Sequence, residues 1–214
     1  IVGSTGCGKS TLLNLIPRFY DATGGTVSIG GVDVRRMQPA ELRAMLGYVP
    51  QKGVLFTGDI LSNLEFAGDV SEADAIRAAA TAQAEDFSWS RPQHFLTPVA
   101  QGGSNVSGGQ RQRLSIARAI AKHPQVYLFD DSFSALDYQT DAALRQALAR
   151  QTHDATVLIV AQRLSTILHA DQILVLDGGR IVGCGTHSDL LRGCETYREI
   201  ALSQLSAAEL GQEG

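Results

Sequence analysis

Apolar residues in the second half of the chain form short continuous runs that alternate with stretches of helical spacing. Short runs predict strands, and apolar residues spaced three and four positions apart predict helices. The predicted elements are strand Val126–Phe129, helix Gln139–Gln151, strand Thr156–Ala161, helix Leu164–His169 and strand Gln172–Leu176. Near-continuous apolar strands between helices are typical of a parallel sheet that helices cover on both faces. The fold class is therefore predicted to be α/β.

Shorter elements are predicted near the two ends of the chain. Ile1 and Val2 precede a glycine-rich run, so we expect them to be the end of a strand whose earlier residues are missing. The elements predicted next are a helix over residues 9–16 that Pro17 ends, a hairpin of residues 26–29 with 32–34, a helix over 39–46 and a strand over 47–50. The last predicted elements are a hairpin through Asp177-Gly178-Gly179 and helices near 186–192 and 195–205.

The middle of the chain has a different character. An alanine-rich stretch up to Ala84 follows a capping-box pattern at Ser71, and residues 107–122 carry apolar side chains at helical spacing. Residues 91–105 are polar and contain glycine and proline, which predicts a loop. We therefore expect a first core part over residues 1–53 and an inserted helical subdomain over residues 54–123. The remaining core part and the C-terminal helices are expected over residues 124–214.

Composition excludes several classes of protein. The 214 residues are 44% hydrophobic and 19% charged, which is enough apolar material for a buried core. A formal net charge of −4 without a basic stripe argues against nucleic acid as a partner. No uncharged apolar run approaches the ~18 residues of a membrane-spanning helix. The cysteines Cys7, Cys184 and Cys194 have no metal-ligand spacing.

A phosphate-binding loop is predicted directly after the first strand. Residues 3–10 match the pattern G-x4-G-K-[ST]. Backbone N–H groups of such a loop converge on phosphate oxygens, Lys9 would neutralise the β- and γ-phosphates, and the Ser10 hydroxyl would ligate Mg²⁺. The predicted ATP contacts are Gly3, Ser4, Thr5, Gly6, Cys7, Gly8, Lys9, Ser10 and Thr11.

The second half of such a site is an acidic residue at the end of an apolar strand. Asp130 follows the run Val126–Phe129 and would hold Mg²⁺ or one of its waters. An aspartate at a strand end carries little information alone. Together with the phosphate loop, it predicts a P-loop NTPase core that binds ATP and Mg²⁺.

Residues 105–114 identify a family. Their sequence, N-V-S-G-G-Q-R-Q-R-L, resembles the signature of the ATP-binding-cassette (ABC) ATPases, which is usually L-S-G-G-Q. Val106 takes the place of the leucine. The segment has the features of a second anion site, because Ser107 is a predicted helix N-cap and two glycines expose backbone N–H groups. The signature residues are Ser107, Gly108, Gly109 and Gln110.

Further motifs resemble those of ABC exporters. Residues 48–51 look like the Q-loop, which implies that Gln51 touches Mg²⁺ or the attacking water. Residues 134–137 look like the D-loop, and residues 97–103, 175–182 and 185–191 resemble exporter-type segments. In this family two cassettes bind head to tail, so the resemblance implies that the signature and Asp137 face the partner's ATP.

Two positions depart from the family pattern. The catalytic glutamate of the family, which follows the aspartate at the strand end, is here Asp131, one methylene shorter. The histidine of the switch segment is here Gln162, which can donate a hydrogen bond to the γ-phosphate but cannot become cationic. The combination resembles the degenerate-site subunit of heterodimeric ABC exporters; the alternative is a slow homodimeric ATPase.

The resemblance implies a motor domain of an exporter at the cytoplasmic face of the cell membrane, working with transmembrane domains absent from this chain. Phe56 and Leu64 are candidate contacts to those domains, with ordinary core positions as the alternative. Other readings are an ATP-gated clamp that takes no part in transport and a regulatory ATP sensor. Cassettes of this family have strands before the phosphate loop that carry an adenine-stacking aromatic residue, so we expect this chain to lack that residue.

Overall fold

The chain folds into short strands and helices, and the computed structural model describes residues 1–66, 68–206 and 210. The strands within these residues are β1 (Val2–Gly3), β2 (Ser28–Ile29), β3 (Val32–Asp33), β4 (Leu46–Val49), β5 (Gly58–Asp59), β6 (Pro98–Val99), β7 (Val126–Asp130), β8 (Thr156–Val160), β9 (Ile173–Asp177) and β10 (Arg180–Gly185). The α-helices within them are α1 (Lys9–Asn14), α2 (Pro39–Ala44), α3 (Ile60–Glu65), α4 (Glu72–Thr81), α5 (Glu85–Trp89), α6 (Gly108–Ala121), α7 (Tyr138–Gln151), α8 (His187–Gly193) and α9 (Glu195–Gln204). The elements fall into two compact units, one of residues 1–37 with 159–214 and one of residues 38–158.

In the first unit, β9 is the central strand of a three-stranded sheet. It pairs in parallel with β1 and antiparallel with β10. The turn between β9 and β10 is made by Gly178 and Gly179, whose φ angles of 49° and 76° glycine adopts without steric cost. The predicted hairpin is confirmed. Helix α9 packs on this sheet through Tyr197 and Ala201, both fully buried in one core with Val175.

In the second unit, β7 lies between β4 and β8. The residues of β8 up to Leu158 belong to this unit. The β4–β7 pair is parallel, with Val49 opposite Phe129. Every residue of β7 is buried, as expected for a strand of a parallel sheet covered on both faces. Helix α6 packs against α3 and α4 beside this sheet.

The predicted capping box at Ser71 forms differently from the pattern. The Ser71 hydroxyl accepts a hydrogen bond from the backbone N–H of Asp74 at 3.1 Å, which caps α4 as predicted. The Asp74 carboxylate accepts a hydrogen bond from the same hydroxyl at 2.5 Å. The Ser71 hydroxyl therefore makes both hydrogen bonds of this cap, one as acceptor and one as donor.

Three predicted segments differ from the structure. The helix predicted over residues 164–169 is a single 3-10 turn, Leu164–Thr166, because one turn already buries Leu164 and Ile167. Helix α1 ends at Asn14 rather than Ile16, where the amides of residues 15 and 16 bond three residues back and tighten the chain. The predicted loop 91–105 contains 3-10 turns and strand β6, which pairs with β5.

The structure also shows the state of the cysteines and the length and polarity of the helices. All three cysteines are free thiols, with Cys7 and Cys194 buried and Cys184 exposed. Over the described ranges, no helix combines the length and the apolar character that crossing a bilayer requires.

Gly183 provides a test of packing between β10 and the C-terminal helices. A Cβ atom there would lie 2.7 Å from Cys194 Sγ and 2.9 Å from Leu190 Cδ2. We expect Gly183→Ala to lower the free energy of unfolding by ~1–3 kcal/mol through overpacking. Gly193→Ala is the matched control, because a Cβ at that helical position meets no atom within 4 Å. Denaturant unfolding measures both, and equal stability of the two variants would contradict the packing.

Candidate functional site

The phosphate loop connects β1 to α1 in the first unit. Gly3 ends β1 with φ 148°, and a Cβ atom there would lie 2.1 Å from the carbonyl oxygen of Leu176 on β9. Gly8 precedes α1 in the left-handed conformation, with φ 100°. Both positions need glycine, the first for the close approach of two strands and the second for its backbone angle.

Lys9 points back into this loop. Its Nζ donates hydrogen bonds to the backbone carbonyl oxygens of Gly3 and Ser4, each at 2.8 Å, and lies 3.8 Å from Cys7 Sγ. The side chain is only 9% exposed. The positive charge is therefore held at the centre of the loop, which fits the phosphates of a nucleotide. Ser10, which would ligate Mg²⁺, and Thr11 are exposed on the first turn of α1.

Gln162 belongs to the same unit and lies close to the phosphate loop. Together with Ser4 and Thr5 it lines a cavity of about 450 Å³. Helix α9 forms the other side of the cavity with Glu199 and Gln204. The structure thus brings together the phosphate loop and the residue predicted to contact the γ-phosphate.

Gln51 and Asp131 meet in the second unit. Because β4 and β7 are parallel neighbours, the residues that follow them lie at the same edge of the sheet. Gln51 Nε2 donates a hydrogen bond to Asp131 Oδ2 at 3.1 Å. Asp131 is 6% exposed and has a left-handed backbone, φ 47°, which aspartate tolerates better than most residues.

Asp130, the last residue of β7, is buried beside Tyr48 of β4. Burial, followed by the negative charge of Asp130, raises the pKa of Tyr48. Among the described residues, no three His, Cys, Asp or Glu side chains form a metal-binding group. Mg²⁺ is commonly held by one or two carboxylates together with substrate phosphates. One buried carboxylate and the Gln51 amide oxygen are donors of the type that this ion takes.

The signature segment begins α6, and Ser107 is its N-cap, as predicted. The Ser107 hydroxyl accepts from the backbone N–H of Gln110 at 3.2 Å, and Gln110 Oε1 accepts from the Ser107 N–H at 3.1 Å. Ser107 and Gly108 are exposed. The cap fixes the start of a fourteen-residue helix whose first N–H groups lie at the surface.

Asp137 caps α7, which the sequence predicts only from Gln139. Its Oδ1 accepts from the backbone N–H of Thr140 at 3.0 Å, and these hydrogen bonds lower the pKa of Asp137. The side chain is exposed. The aspartate that the family resemblance assigns to a partner's ATP therefore has a local structural role.

Gln112 supports the predicted Q-loop, and none of the sequence motifs indicates this. It is 1% exposed on α6, and its Oε1 accepts from the backbone N–H of Gly53 at 2.6 Å. Its Nε2 donates to the carbonyl oxygen of Pro50 at 3.1 Å. The two bonds bracket Gln51, so the signature helix holds the Q-loop. A polar residue on the buried face of a helix is the signal that could have revealed it.

Comparisons with known proteins show the family of the chain. The family model described as ABC transporter matches residues 1–134, more than half of the chain. An uncharacterized ABC transporter ATP-binding protein of Mycobacterium tuberculosis is 48% identical over 100% of this chain and 37% of its own length. An ATP-dependent lipid A-core flippase of Albidiferax ferrireducens is 43% identical over 95% of this chain and 36% of its own length.

A solved structure gives the same result at the level of the fold. A bacterial Atm1-family ABC exporter with ATP bound matches with a TM-score of 0.91 and 41% identity, over 94% of this chain and 36% of that one. The chain thus spans little more than a third of the length of these relatives. The matched family model, the identities and the geometry of the phosphate loop agree, and the chain belongs to the ABC transporter family as an ATP-binding cassette.

Proposed function

We propose that this cassette is the ATP-driven motor of an exporter, situated at the cytoplasmic face of the membrane. The observation that carries the proposal is the phosphate loop with the Lys9 ammonium held at its centre. Relatives named as a lipid A-core flippase and as a putative multidrug export ATP-binding/permease protein of Staphylococcus aureus support the direction of transport. Binding of ATP between two cassettes would drive their closure, and hydrolysis would reset the pair.

Each unit contributes its own residues to the proposed mechanism. In the first, Lys9 and the loop amides bind the β- and γ-phosphates, Ser10 ligates Mg²⁺, and Gln162 contacts the γ-phosphate. In the second, Asp130 and Gln51 hold Mg²⁺ or its water. Mg²⁺, when bound, would neutralise the charge that develops on the phosphates.

We further propose that this cassette's own site hydrolyses ATP slowly. Asp131 is shorter than the glutamate of the family, and its carboxylate already accepts a hydrogen bond from Gln51. Displacing a catalytic group by about 1 Å costs on the order of 10²-fold in rate. Gln162 adds to this effect because an amide cannot take up a proton as a histidine does.

The pattern of intact and altered motifs supports a heterodimer. The signature keeps S-G-G-Q with its cap formed, and Ser107 and Gly108 are exposed for contact with a second cassette. A partner with an ordinary glutamate and histidine would then hydrolyse the ATP that this signature completes. The alternative is a homodimer that hydrolyses ATP slowly. Measured rates of hydrolysis by the assembled pair of cassettes distinguish it from the heterodimer.

An aromatic surface of the second unit is the proposed contact to the membrane domains. Phe56 and Phe66 are 42% and 63% exposed, and their ring centroids lie 4.2 Å apart. Arg118 lies over the Phe56 ring, with its pKa lowered by burial to about 10. Leu64, by contrast, is fully buried and packs as core. The relatives are more than twice as long as this chain and one is named a permease, so a membrane domain is the proposed occupant.

Restoring the two altered residues tests the slow site. We expect Asp131→Glu combined with Gln162→His to raise the rate of ATP hydrolysis by about 10²-fold, because the base regains its reach. Phosphate release from the purified protein measures the rate. Asp154→Glu makes the same substitution at an exposed position and should leave the rate unchanged. Hydrolysis by the unmodified cassette alone at ~1 to 10 s⁻¹ would contradict the proposal.

Replacing the signature serine tests the composite site. Ser107→Ala removes a helix cap, and so does Ser71→Ala on α4, each at a cost of ~1 kcal/mol of stability. In the intact transporter with both cassettes, we expect only Ser107→Ala to lower hydrolysis, by about tenfold, because it removes a donor to a charged phosphate. Equal hydrolysis by the two variants would rule out a role of this signature in the partner's site.

Weakening the aromatic surface tests the contact to the membrane domains. We expect Phe66→Ser to raise the dissociation constant between the cassette and separately purified membrane domains by about tenfold, as loss of an aromatic anchor does. Leu202→Ser is the control, since Leu202 is similarly exposed at 58% in the other unit. ATP affinity should stay unchanged in both. If the unmodified cassette binds no membrane domain, a clamp or sensor is favoured instead.

A further inference from the structure

The end of helix α9 is hydrogen-bonded to the segment that carries Gln162. Gln204 Nε2 donates to the backbone carbonyl oxygen of Gln162 at 3.0 Å. Gln204 Oε1 accepts from the backbone N–H of Leu164 at 2.9 Å. A single carboxamide thus binds the backbone on both sides of Arg163, more than forty positions earlier in the sequence.

The backbone at Leu164 needs such a partner. Leu164 begins the 3-10 turn Leu164–Thr166, and the side chain of the N-cap residue Arg163 makes no capping hydrogen bond to this turn. The first N–H groups of a helix have no acceptor within the helix itself. Gln204 Oε1 is therefore the cap of this turn, supplied from a distant element.

Both partners are anchored in one core. Leu164 is fully buried in the same cluster as Tyr197 and Ala201, which fix α9. The carboxamide of Gln204 therefore connects two fixed points, and the segment between them has little freedom to shift. Gln162, at the start of this segment, lines the same cavity as Ser4 and Thr5.

We propose that Gln204 is a positioning residue that holds the backbone of Gln162 so that its amide meets the γ-phosphate. The inference rests on the proposed ATP function. ADP lacks the γ-phosphate, so the clamp acts on ATP binding and not on ADP binding. Gln204 is exposed and lies at the end of α9, so its replacement leaves the core intact.

Nucleotide affinities of the intact protein test the inference. We expect Gln204→Ala to raise the dissociation constant of ATP about fivefold, the effect of weakening one hydrogen bond to a charged group, and to leave that of ADP unchanged. Gln162→Ala should produce the same selective loss. In the double variant the two effects should not add, because both remove one interaction.

Hydrogen exchange provides a readout that does not depend on nucleotide. Loss of the acceptor should speed exchange at the Leu164 amide about tenfold in Gln204→Ala. Gln151→Ala is the control, since it makes the same substitution at an exposed position at the end of α7. It should change neither the exchange rate nor the affinities.

Two results would overturn the inference: unchanged exchange at Leu164, or equal weakening of ATP and ADP binding in Gln204→Ala. An unmodified protein that binds neither nucleotide would instead contradict the proposed function, and the exchange rate would still report on the clamp. The two failures are therefore distinguishable.

Discussion

Loops that leave the ends of strands carry backbone amides and carbonyls without a strand partner, and this constraint shapes the candidate residues of each unit. A backbone group left unpaired costs ~1–3 kcal/mol where it is buried and less where water reaches it. Gln112 satisfies one N–H and one C=O of the Q-loop, and Gln204 does the same beside Gln162. A carboxamide suits this task because it holds a donor and an acceptor in one plane. The two loops therefore keep their shape through side chains that belong to distant helices.

The residues with proposed chemical roles depend on this support. Gln51 reaches Asp131 because the parallel register of β4 and β7 brings both strand ends to one edge, and because Gln112 holds the loop on either side of Gln51. In the first unit, Gln204 supports Gln162 in a similar way, because it donates a hydrogen bond to the Gln162 carbonyl oxygen. In each unit a residue without a chemical role in the proposed mechanism sets the position of one that has such a role.

The local features of the chain could be predicted from its sequence, and the long-range ones could not. The turn at Gly178 and the cap at Ser107 follow from residue types within a few positions, so both predictions are confirmed. The helix predicted after Leu164 is wrong because its apolar spacing suits one 3-10 turn as well as a longer helix. The partners of Gln112 and Gln204 lie about sixty and forty positions away, and periodicity carries no information on such pairs.

The environment of Lys9 explains why the phosphate loop favours an anion. Burying an ammonium group is costly unless polar groups compensate it, and here the carbonyl oxygens of Gly3 and Ser4 do so at 2.8 Å. Those oxygens are neutral, and no ion pair of Lys9 occurs in the part of the chain that the structure describes. A phosphate would supply the opposite charge in a place where solvent screens it little. A bound anion therefore stabilises this buried lysine more than it would stabilise an exposed one. The glycines contribute because they give the loop the shape that holds Lys9 in this position.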